Sequence, residues 1–284
     1  MLETLDHIVI AVRDLPTARA TYRGLLGREP SWNGRHPAYG TSNTLFGLDS
    51  GYLELLSPTG EGPVATLLTQ HLETYGEGPF ALAFGTPDAE GCAATLHARG
   101  VEAVGPLEGH GQDEHSKERR WRNVLLPEAA THGVQLFCIE HHSASESLPR
   151  AKPTERLETV VSGFDHVVVQ TPDAERALTL YGEKLGLRLA LDRTFEARSV
   201  RLLFFRVGGV TVEIAAPLTP AEPDAKDRFW GIAYRVPDLP EGQQRLARAG
   251  FDVSDVRPGH TSGTQVWTVQ TETHGVATLL IGPA

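Results

Sequence analysis

The stretch LDHIVIAVRD at residues 5–14 reappears as FDHVVVQTPD at residues 164–173. Each is a short β-branched run with alternating positions, which is typical of a strand, and each ends in an aspartate suited to capping a helix. A helical pattern follows each aspartate and stops at a glycine, Gly27 in the first copy and Gly186 in the second. Both stretches therefore predict a strand followed by a helix.

The spacing between the copies persists beyond the first strand. His7 corresponds to His166, and Glu54 corresponds to Glu213, each pair being separated by 159 residues. The two glutamates lie in the apolar segments YLELLSP and VTVEIAAP, which predict a later strand of each copy. A shared offset over this length indicates a tandem duplication.

A second, weaker pair of copies alternates with the first pair along the chain. Residues 80–100 and 230–250 each read as strand, aspartate cap, helix and glycine, and each is followed by the tetrapeptide THGV, at 131–134 and 273–276. The chain therefore contains four βαβββ modules. We predict an α+β fold in which the modules pair into two cup-shaped, curved, mixed β-sheets, whose concave faces favour ligand sites.

The stretch HHSASESLPRAKPTERLET at 141–159 is polar, contains proline and lacks an apolar period. It predicts a linker over residues 143–160, with an N-terminal two-module domain at 1–142 and a C-terminal one at 161–284.

Composition narrows the class of ligand. The net charge of −10 disfavours nucleic acid and anionic membranes as partners. The sequence has neither a G-x-G-x-x-G nor a G-x-x-x-x-G-K-[ST] motif, so no nucleotide cofactor is expected. Two cysteines and the absence of a signal-peptide pattern favour a cytoplasmic location. A small-molecule substrate is the class of ligand that remains. We expect the protein to be a monomer or a homodimer.

The paired segments LDHIVIAVRD with YLELLSP, and FDHVVVQTPD with VTVEIAAP, resemble the vicinal oxygen chelate superfamily of glyoxalases, bleomycin-resistance proteins and extradiol dioxygenases. The segment GRHPAYGTSN (34–43) further resembles a glyoxalase-like subgroup. The resemblance implies that the first-strand histidine and fourth-strand glutamate bind a divalent metal such as Fe, Mn, Zn or Ni. The expected metal ligands are His166, Glu213, His7 and Glu54. The C-terminal cup is preferred, because its strands predict a drier wall.

The chain departs from the superfamily pattern in the second module of each cup. The positions that would supply the other two ligands hold Ala81 and Phe137 in the first cup, and Gly231 and Leu279 in the second. None of these side chains can bind a metal. By this resemblance, glyoxalase I and methylmalonyl-CoA epimerase take ligands and bases from both modules of a cup, so the departure disfavours these two activities as well as ring-cleaving dioxygenase chemistry. A remaining His/Glu pair could hold a metal with substrate or water completing the shell, or it could form a hydrogen-bonded pair without metal.

Four further positions are candidates for contact with a substrate. His36, placed at a cup rim, is a candidate catalytic acid or base, and its alternative is a turn residue. Arg35, Asn43 and Trp230 are candidate substrate-binding residues, whose alternatives are turn or core roles. The segment GHGQDEHSKERRWRN (109–123) reads as a lid or, preferably, a solvated loop.

Two classes of function follow from these residues. The first is a divalent-metal-dependent enzyme acting on a small oxygen-bearing metabolite, with isomerase, lyase and oxygenase chemistry all open. The alternative is a metal-free protein that binds or sequesters a small molecule, as bleomycin-resistance proteins do.

Overall fold

The computed structural model describes residues 1–219, 222 and 225–284. Its N-terminal half contains eight strands and four helices. In chain order they are β1 (Thr4–Ala11), α1 (Leu15–Leu26), β2 (Trp32–His36), β3 (Thr41–Leu48), β4 (Gly51–Pro58), α2 (Pro63–Tyr75), β5 (Gly78–Gly85), α3 (Ala89–Ala98), β6 (Val104–Asp113), β7 (Glu118–Leu125), α4 (Glu128–Thr131) and β8 (Gln135–His141).

The C-terminal half repeats the module order. Its elements are β9 (Gly163–Gln170), α5 (Ala174–Ala177) continued by a π-helix (Leu178–Lys184), β10 (Arg188–Phe195), β11 (Val200–Val207), β12 (Val210–Pro217), β13 (Arg228–Arg235), α6 (Leu239–Arg248), β14 (Arg257–Pro258), β15 (Thr264–Val269) and β16 (Ala277–Pro283). Short 3-10 turns cover 145–147, 157–159 and 196–198. No helix in the described ranges is long and apolar enough to cross a membrane.

The predicted α+β fold of paired βαβββ modules is confirmed, and its helices begin where the capping pattern places them. Asp14 accepts a hydrogen bond from the Thr17 backbone at 2.7 Å, and Gly27 ends α1 in the left-handed conformation with φ of 66°. Asp173 caps the equivalent helix in the second half. That helix differs from the prediction only in widening into π-helical turns after Ala177.

The two cups differ in closure. The N-terminal strands form a closed barrel in the order β1-β4-β3-β2-β6-β7-β8-β5, whereas the C-terminal strands form an open sheet in the order β10-β11-β12-β9-β13-β16-β15-β14. The barrel closes where Gly34 and Arg35 of β2 pair with Asp113 and Gln112 of β6. In the open sheet β14, the counterpart of β6, has only two residues. Strand length therefore decides which half encloses a cavity.

Helix α2 was missed by the sequence patterns, because no aspartate caps it. It begins with Pro63 after Gly62, a position where proline fits the first helical turn. Its buried face, Ala65, Leu68 and Leu72, packs against the barrel. The helix thus covers one part of the barrel wall.

The segment at 143–160 packs against the barrel. Buried Arg28 donates hydrogen bonds to the carbonyls of Ala151 and Val161, the former at 2.7 Å. The Ala151 backbone donates to the Gly47 carbonyl at 2.8 Å. The segment predicted as a linker therefore joins the two halves while packed against the first one.

The two halves share one hydrophobic core, and a buried arginine joins them. Arg245 of α6 donates to the carbonyls of Gly24 and Leu25 in α1, each at 2.7 Å, and to Thr159 at 3.0 Å. Burial lowers the pKa of Arg245 to about 10, so the guanidinium is still charged at neutral pH. It satisfies carbonyls that the end of α1 would otherwise leave without partners.

We predict that Arg245→Leu lowers the free energy of unfolding by about 3 kcal/mol, because three buried carbonyls lose a charged donor. Denaturant unfolding monitored by circular dichroism measures the change. The matched control is Arg248→Leu, one turn further along α6 and exposed, with an expected change within about 0.5 kcal/mol. Equal effects of the two variants would contradict the joining role of Arg245.

Candidate active site

A cavity of about 470 Å³ lies inside the N-terminal barrel. Alternate residues of β7 line it, from Arg119 through Trp121 and Asn123 to Leu125, since side chains alternate across a strand. Its polar end carries His7, Tyr52, Glu54, His36, Asn43 and Arg119, and its apolar end carries Leu56, Val64, Leu67, Phe80, Leu125 and Leu126. A volume of this size accommodates a small organic molecule.

His7 and Glu54 face each other in the polar end. The Nε2 atom of His7 lies 3.5 Å from Oε2 of Glu54, and both residues are buried. They come together because β1 and β4 run parallel as neighbours and both side chains point into the barrel. The Asn43 side-chain amide, on β3, donates to Oε1 of Glu54 at 2.7 Å.

Asp6 fixes which nitrogen of His7 carries a proton. Its Oδ1 lies 2.7 Å from Nδ1 of His7, and its Oδ2 lies 3.0 Å from Nε2 of His141. Burial opposes ionisation of Asp6, but the hydrogen bonds from His141 and His7 outweigh burial and hold the pKa of this carboxyl well below its ordinary value. An ionised Asp6 can only accept, so Nδ1 of His7 donates.

This assignment leaves Nε2 of His7 facing the Glu54 carboxylate. A bare imidazole nitrogen and a carboxylate oxygen are both acceptors, so their approach is favourable only with a cation between them. A proton on either atom meets that need, and so does a metal ion. The polar end of the cavity is therefore a site that holds one exchangeable cation.

His36 ends β2 and points into the barrel rather than lying at its rim as the sequence pattern suggested. Its Nδ1 lies 3.0 Å from the Thr41 hydroxyl, and its Nε2 lies 3.3 Å from the Asn43 amide nitrogen. Burial lowers the pKa of His36. A neutral ring that accepts from Asn43 at Nε2 holds that amide in place for Glu54.

The corresponding pair in the C-terminal half is looser. Nε2 of His166 lies 3.8 Å from Oε2 of Glu213, and both side chains are nearly one-fifth exposed. Burial of Glu213 raises the pKa of this carboxyl, whereas the hydrogen bonds from His166 and Arg235 hold the pKa of Asp165 at about 2, against the effect of burial. The expectation that the C-terminal cup is the drier one is wrong, because its sheet stays open.

Two predicted substrate contacts lie away from the cavity. Arg35 neighbours His36 in β2 and therefore points to the outer face, where it is exposed. Arg35 therefore does not line the cavity beside His36. Trp230 lies at a β-bulge in β13 of the other half and is 45% exposed. Asn43, by contrast, lines the cavity beside Glu54.

The segment at 109–123 is a hairpin of the barrel, so its interpretation as a solvated loop is wrong. It forms much of β6 and β7, and Arg119, Trp121 and Asn123 line the cavity. The alternation of these residues with exposed neighbours was the signal that could have revealed it.

The donor set is that of an incomplete metal centre. Ala81 and Phe137 line the cavity in the positions of the two absent ligands. Across the described part of the chain, no cluster of three or more His, Cys, Asp or Glu side chains could hold a metal ion. The residues thus do not fit the four-ligand centre implied by the family resemblance. The His7/Glu54 pair alone fits a cation whose remaining positions are filled by substrate oxygens or water.

The fold and this pair define a protein of the vicinal oxygen chelate type. A glyoxalase-like domain matches residues 5–185, and a glyoxalase/bleomycin resistance protein/dioxygenase superfamily domain matches residues 165–268. The chain belongs to the glyoxalase-like family.

Relatives by sequence share only part of this chain. It is 39% identical over 72 residues to an ethylmalonyl-CoA/methylmalonyl-CoA epimerase of Cereibacter sphaeroides, and 37% identical over 71 residues to a mitochondrial methylmalonyl-CoA epimerase of Bos taurus. Each match covers 25% of this chain, with 54% of the first relative and 41% of the second. The chain thus spans about half or less of the curated relatives it matches.

Solved structures share the whole fold at low identity. A 4-hydroxymandelate synthase variant from Streptomyces coelicolor superimposes with a TM-score of 0.71 at 14% identity, covering 99% of this chain and 93% of that one. A hypothetical protein from Staphylococcus aureus gives 0.66 at 13% identity, covering 98% of each chain. These likenesses concern the fold alone.

We predict that the double variant Ala81→His, Phe137→Glu binds about one equivalent of Zn²⁺ tightly, because it adds the two absent donors to His7 and Glu54. Metal analysis after gel filtration measures the gain, and a thermal melt confirms folding. Adding His7→Ala to the double variant should remove the gain. A folded double variant that binds no more metal than the parent would show that these four positions do not converge.

Proposed function

We propose that the N-terminal barrel is the active site of an enzyme that moves a proton on a small, oxygen-bearing substrate. One observation carries the proposal: His7 Nε2 and Glu54 Oε2, 3.5 Å apart in a buried cavity, require a shared cation. With a proton as that cation, the pair can give it to or take it from a substrate in the cavity. Isomerisation next to a carbonyl group is the reaction class that this arrangement suits best.

The surrounding residues keep the pair in position. Asp6 holds the His7 ring through Nδ1, and Asn43 holds Glu54 through Oε1. His7 stacks on Tyr52 with ring centroids 4.4 Å apart, and the edge of Phe137 meets His7 at 5.4 Å. These contacts limit rotation of the imidazole and exclude water. Glu54 is the proposed base, and His7 the partner that returns the proton.

Two unsatisfied acceptors indicate what the substrate supplies. Oδ1 of Asn43 and Oδ1 of Asn123 are buried without hydrogen-bond partners, and both residues line the cavity. Buried acceptors of this kind normally find a donor. A substrate hydroxyl, or the enol formed during isomerisation, is a suitable donor for Asn43.

The two curated relatives are named as epimerases of CoA esters. Epimerisation inverts a stereocentre, and at a carbon next to a carbonyl it proceeds by removal and return of a proton. That chemistry agrees with the His7/Glu54 pair. Because the matches cover only a quarter of this chain, we extend to it the reaction class and not the substrate.

A divalent metal at His7 and Glu54 is the second candidate for the shared cation, and Asp6 favours it. A carboxylate hydrogen-bonded to the far nitrogen commonly orients metal-binding histidines. Bound there, a metal would polarise a substrate oxygen as a Lewis acid. His166 and Glu213 are arranged with Asp165 in the same way, and metal binding at this second pair stays a weaker prediction.

Solvent-exchange NMR tests the proton-transfer proposal. Purified protein is incubated in D₂O with a panel of chiral 2-hydroxy acids, 2-oxo acids and acyl thioesters, and loss of the proton next to the carbonyl is followed. We expect exchange with at least one class, and a loss of roughly 100-fold or more in Glu54→Gln, because the base is removed while its hydrogen bond to Asn43 is kept.

Glu213→Gln is the matched control, since it changes the same residue of the open half, and its rate should equal that of the parent. Ligand binding without exchange in any class would overturn the enzymatic proposal in favour of the sequestering one. A loss in Glu213→Gln with an unchanged rate in Glu54→Gln would place the reaction outside the N-terminal barrel.

Metal analysis separates the two candidate cations. Protein prepared without chelator should contain less than about a tenth of an equivalent of Fe, Mn, Zn or Ni if the shared cation is a proton. About one equivalent, lost in His7→Ala and kept in His166→Ala, would instead identify the metal form of the N-terminal site. Loss in His166→Ala alone would place the metal in the C-terminal half.

A further inference from the structure

Arg119 is a buried cation in the polar end of the cavity. It lies at the start of β7, is 7% exposed, and lines the cavity with Trp121 and Asn123 of the same strand. Its guanidinium carbon lies 5.7 Å from the ring centroid of Trp32 and 5.5 Å from that of Tyr52. These two aromatic faces fix the arginine in place.

Within the described ranges, no carboxylate of the protein pairs with Arg119. The two nearest candidates by position are otherwise engaged, Asp6 with His7 and His141, and Glu54 with Asn43 and His7. Tyr52 offers Arg119 its phenol and its ring face, not a carboxylate. A buried arginine without a carboxylate partner lacks the counter-ion that burial normally requires.

The barrel cavity is the side of Arg119 on which the proposed active site lies. The arginine also borders a second cavity, of about 370 Å³, whose carboxylates Asp6 and Asp49 are already paired with His141 and Arg150. In the barrel, by contrast, Arg119 lies next to Tyr52, which precedes Glu54 on the same face of β4. Two such positions are about 7 Å apart along a strand. An anionic group on Arg119 therefore places its adjoining carbons beside Glu54.

The lining of the rest of the cavity indicates the chemistry of the other end of the ligand. Beyond Glu54 the lining is mostly apolar, with Leu56, Val64, Leu67, Phe80 and Leu125, and its polar members are Glu128 and Gln135. Val64 and Leu67 belong to α2, so this end is formed where the helix covers the barrel. An extended ligand would place a charged head at Arg119 and an apolar tail under α2.

We infer that the substrate is a carboxylate with an apolar tail, whose carboxylate pairs with Arg119 while the carbon next to it lies at Glu54. Arginine offers two parallel N–H donors that match a carboxylate, which favours this anion over a single-atom one. The inference rests on the proposed function only in taking the barrel cavity as the site. Arg119 is a specificity-determining residue in this arrangement, and takes no part in the proton transfer.

Calorimetric titration with matched probes tests the inference on the unmodified protein. The probes are 2-hydroxyoctanoate and its neutral isostere 2-hydroxyoctanamide, with acetate as a head without a tail. We expect the carboxylate to bind at least about 30-fold more tightly than the amide, the difference typical of a buried charge pair. Acetate should bind more weakly than the full acid. Equal binding of acid and amide, or no binding of the acid, overturns the inference.

Variants then assign the preference to one side chain. Arg119→Gln should abolish the preference for acid over amide, and Arg119→Lys should retain part of it. The matched control is Arg120→Gln on the same strand, since Arg120 is exposed and faces outward. A folded Arg119→Gln protein that keeps the full preference contradicts the assignment. If that variant unfolds, the comparison of acid and amide binding to the unmodified protein still tests whether the cavity prefers a carboxylate.

The same titrations separate this inference from the proposed function. Glu54→Gln should bind 2-hydroxyoctanoate at least as tightly as the parent, because it removes a carboxylate beside the ligand, while losing proton exchange. Binding of the acid without exchange in the parent would leave the carboxylate site standing and overturn the enzymatic proposal. Proton exchange of neutral substrates, at a rate that Arg119→Gln leaves unchanged, would support the enzymatic proposal and overturn the carboxylate site.

Discussion

The close approach of His7 Nε2 to Glu54 Oε2 depends on the residues that surround the pair. Two acceptors face each other at 3.5 Å because Asp6 has taken the other ring nitrogen as its donor and Asn43 has fixed the carboxylate. The contact is favourable only with a cation between the two atoms, and the electrostatic interaction becomes stronger as water is excluded. The closed barrel provides that exclusion. Without Asp6, a neutral His7 would carry its proton on Nε2 and donate an ordinary hydrogen bond to Glu54. No additional cation would then be needed between the two side chains.

The two halves of the chain have equivalent residues that can be compared directly. His166 and Glu213 repeat the pair and Asp165 repeats Asp6, yet they lie 3.8 Å apart on an open sheet and are partly exposed. The difference comes from the long strand β6, which pairs with β2, and from α2, which covers the barrel. The same residues therefore have different chemistry in the two halves, because only one half removes them from water.

Sequence reasoning predicted the fold and the two His/Glu pairs, because both rest on local patterns repeated at a fixed offset. It placed Asn43 among the candidate contacts because an amide side chain can fix a polar ligand. It could not tell which half was closed, since closure depends on the pairing of Gly34 and Arg35 with β6, a contact between distant segments. The role of Arg119 was hidden as well. Its charge and position in a polar segment suggested solvent, and only the barrel shows that it points inward.

The central claim is that Nδ1 of His7 is committed to Asp6, so that Nε2 and Glu54 hold the exchangeable cation. Long-range ¹H–¹⁵N NMR of selectively labelled histidine, assigned with His7→Gln, measures the protonation of each ring nitrogen directly. The account predicts a protonated Nδ1 across the neutral pH range, with Nε2 either bare beside a protonated Glu54 or protonated beside its carboxylate. A neutral ring protonated at Nε2 and bare at Nδ1 would contradict it.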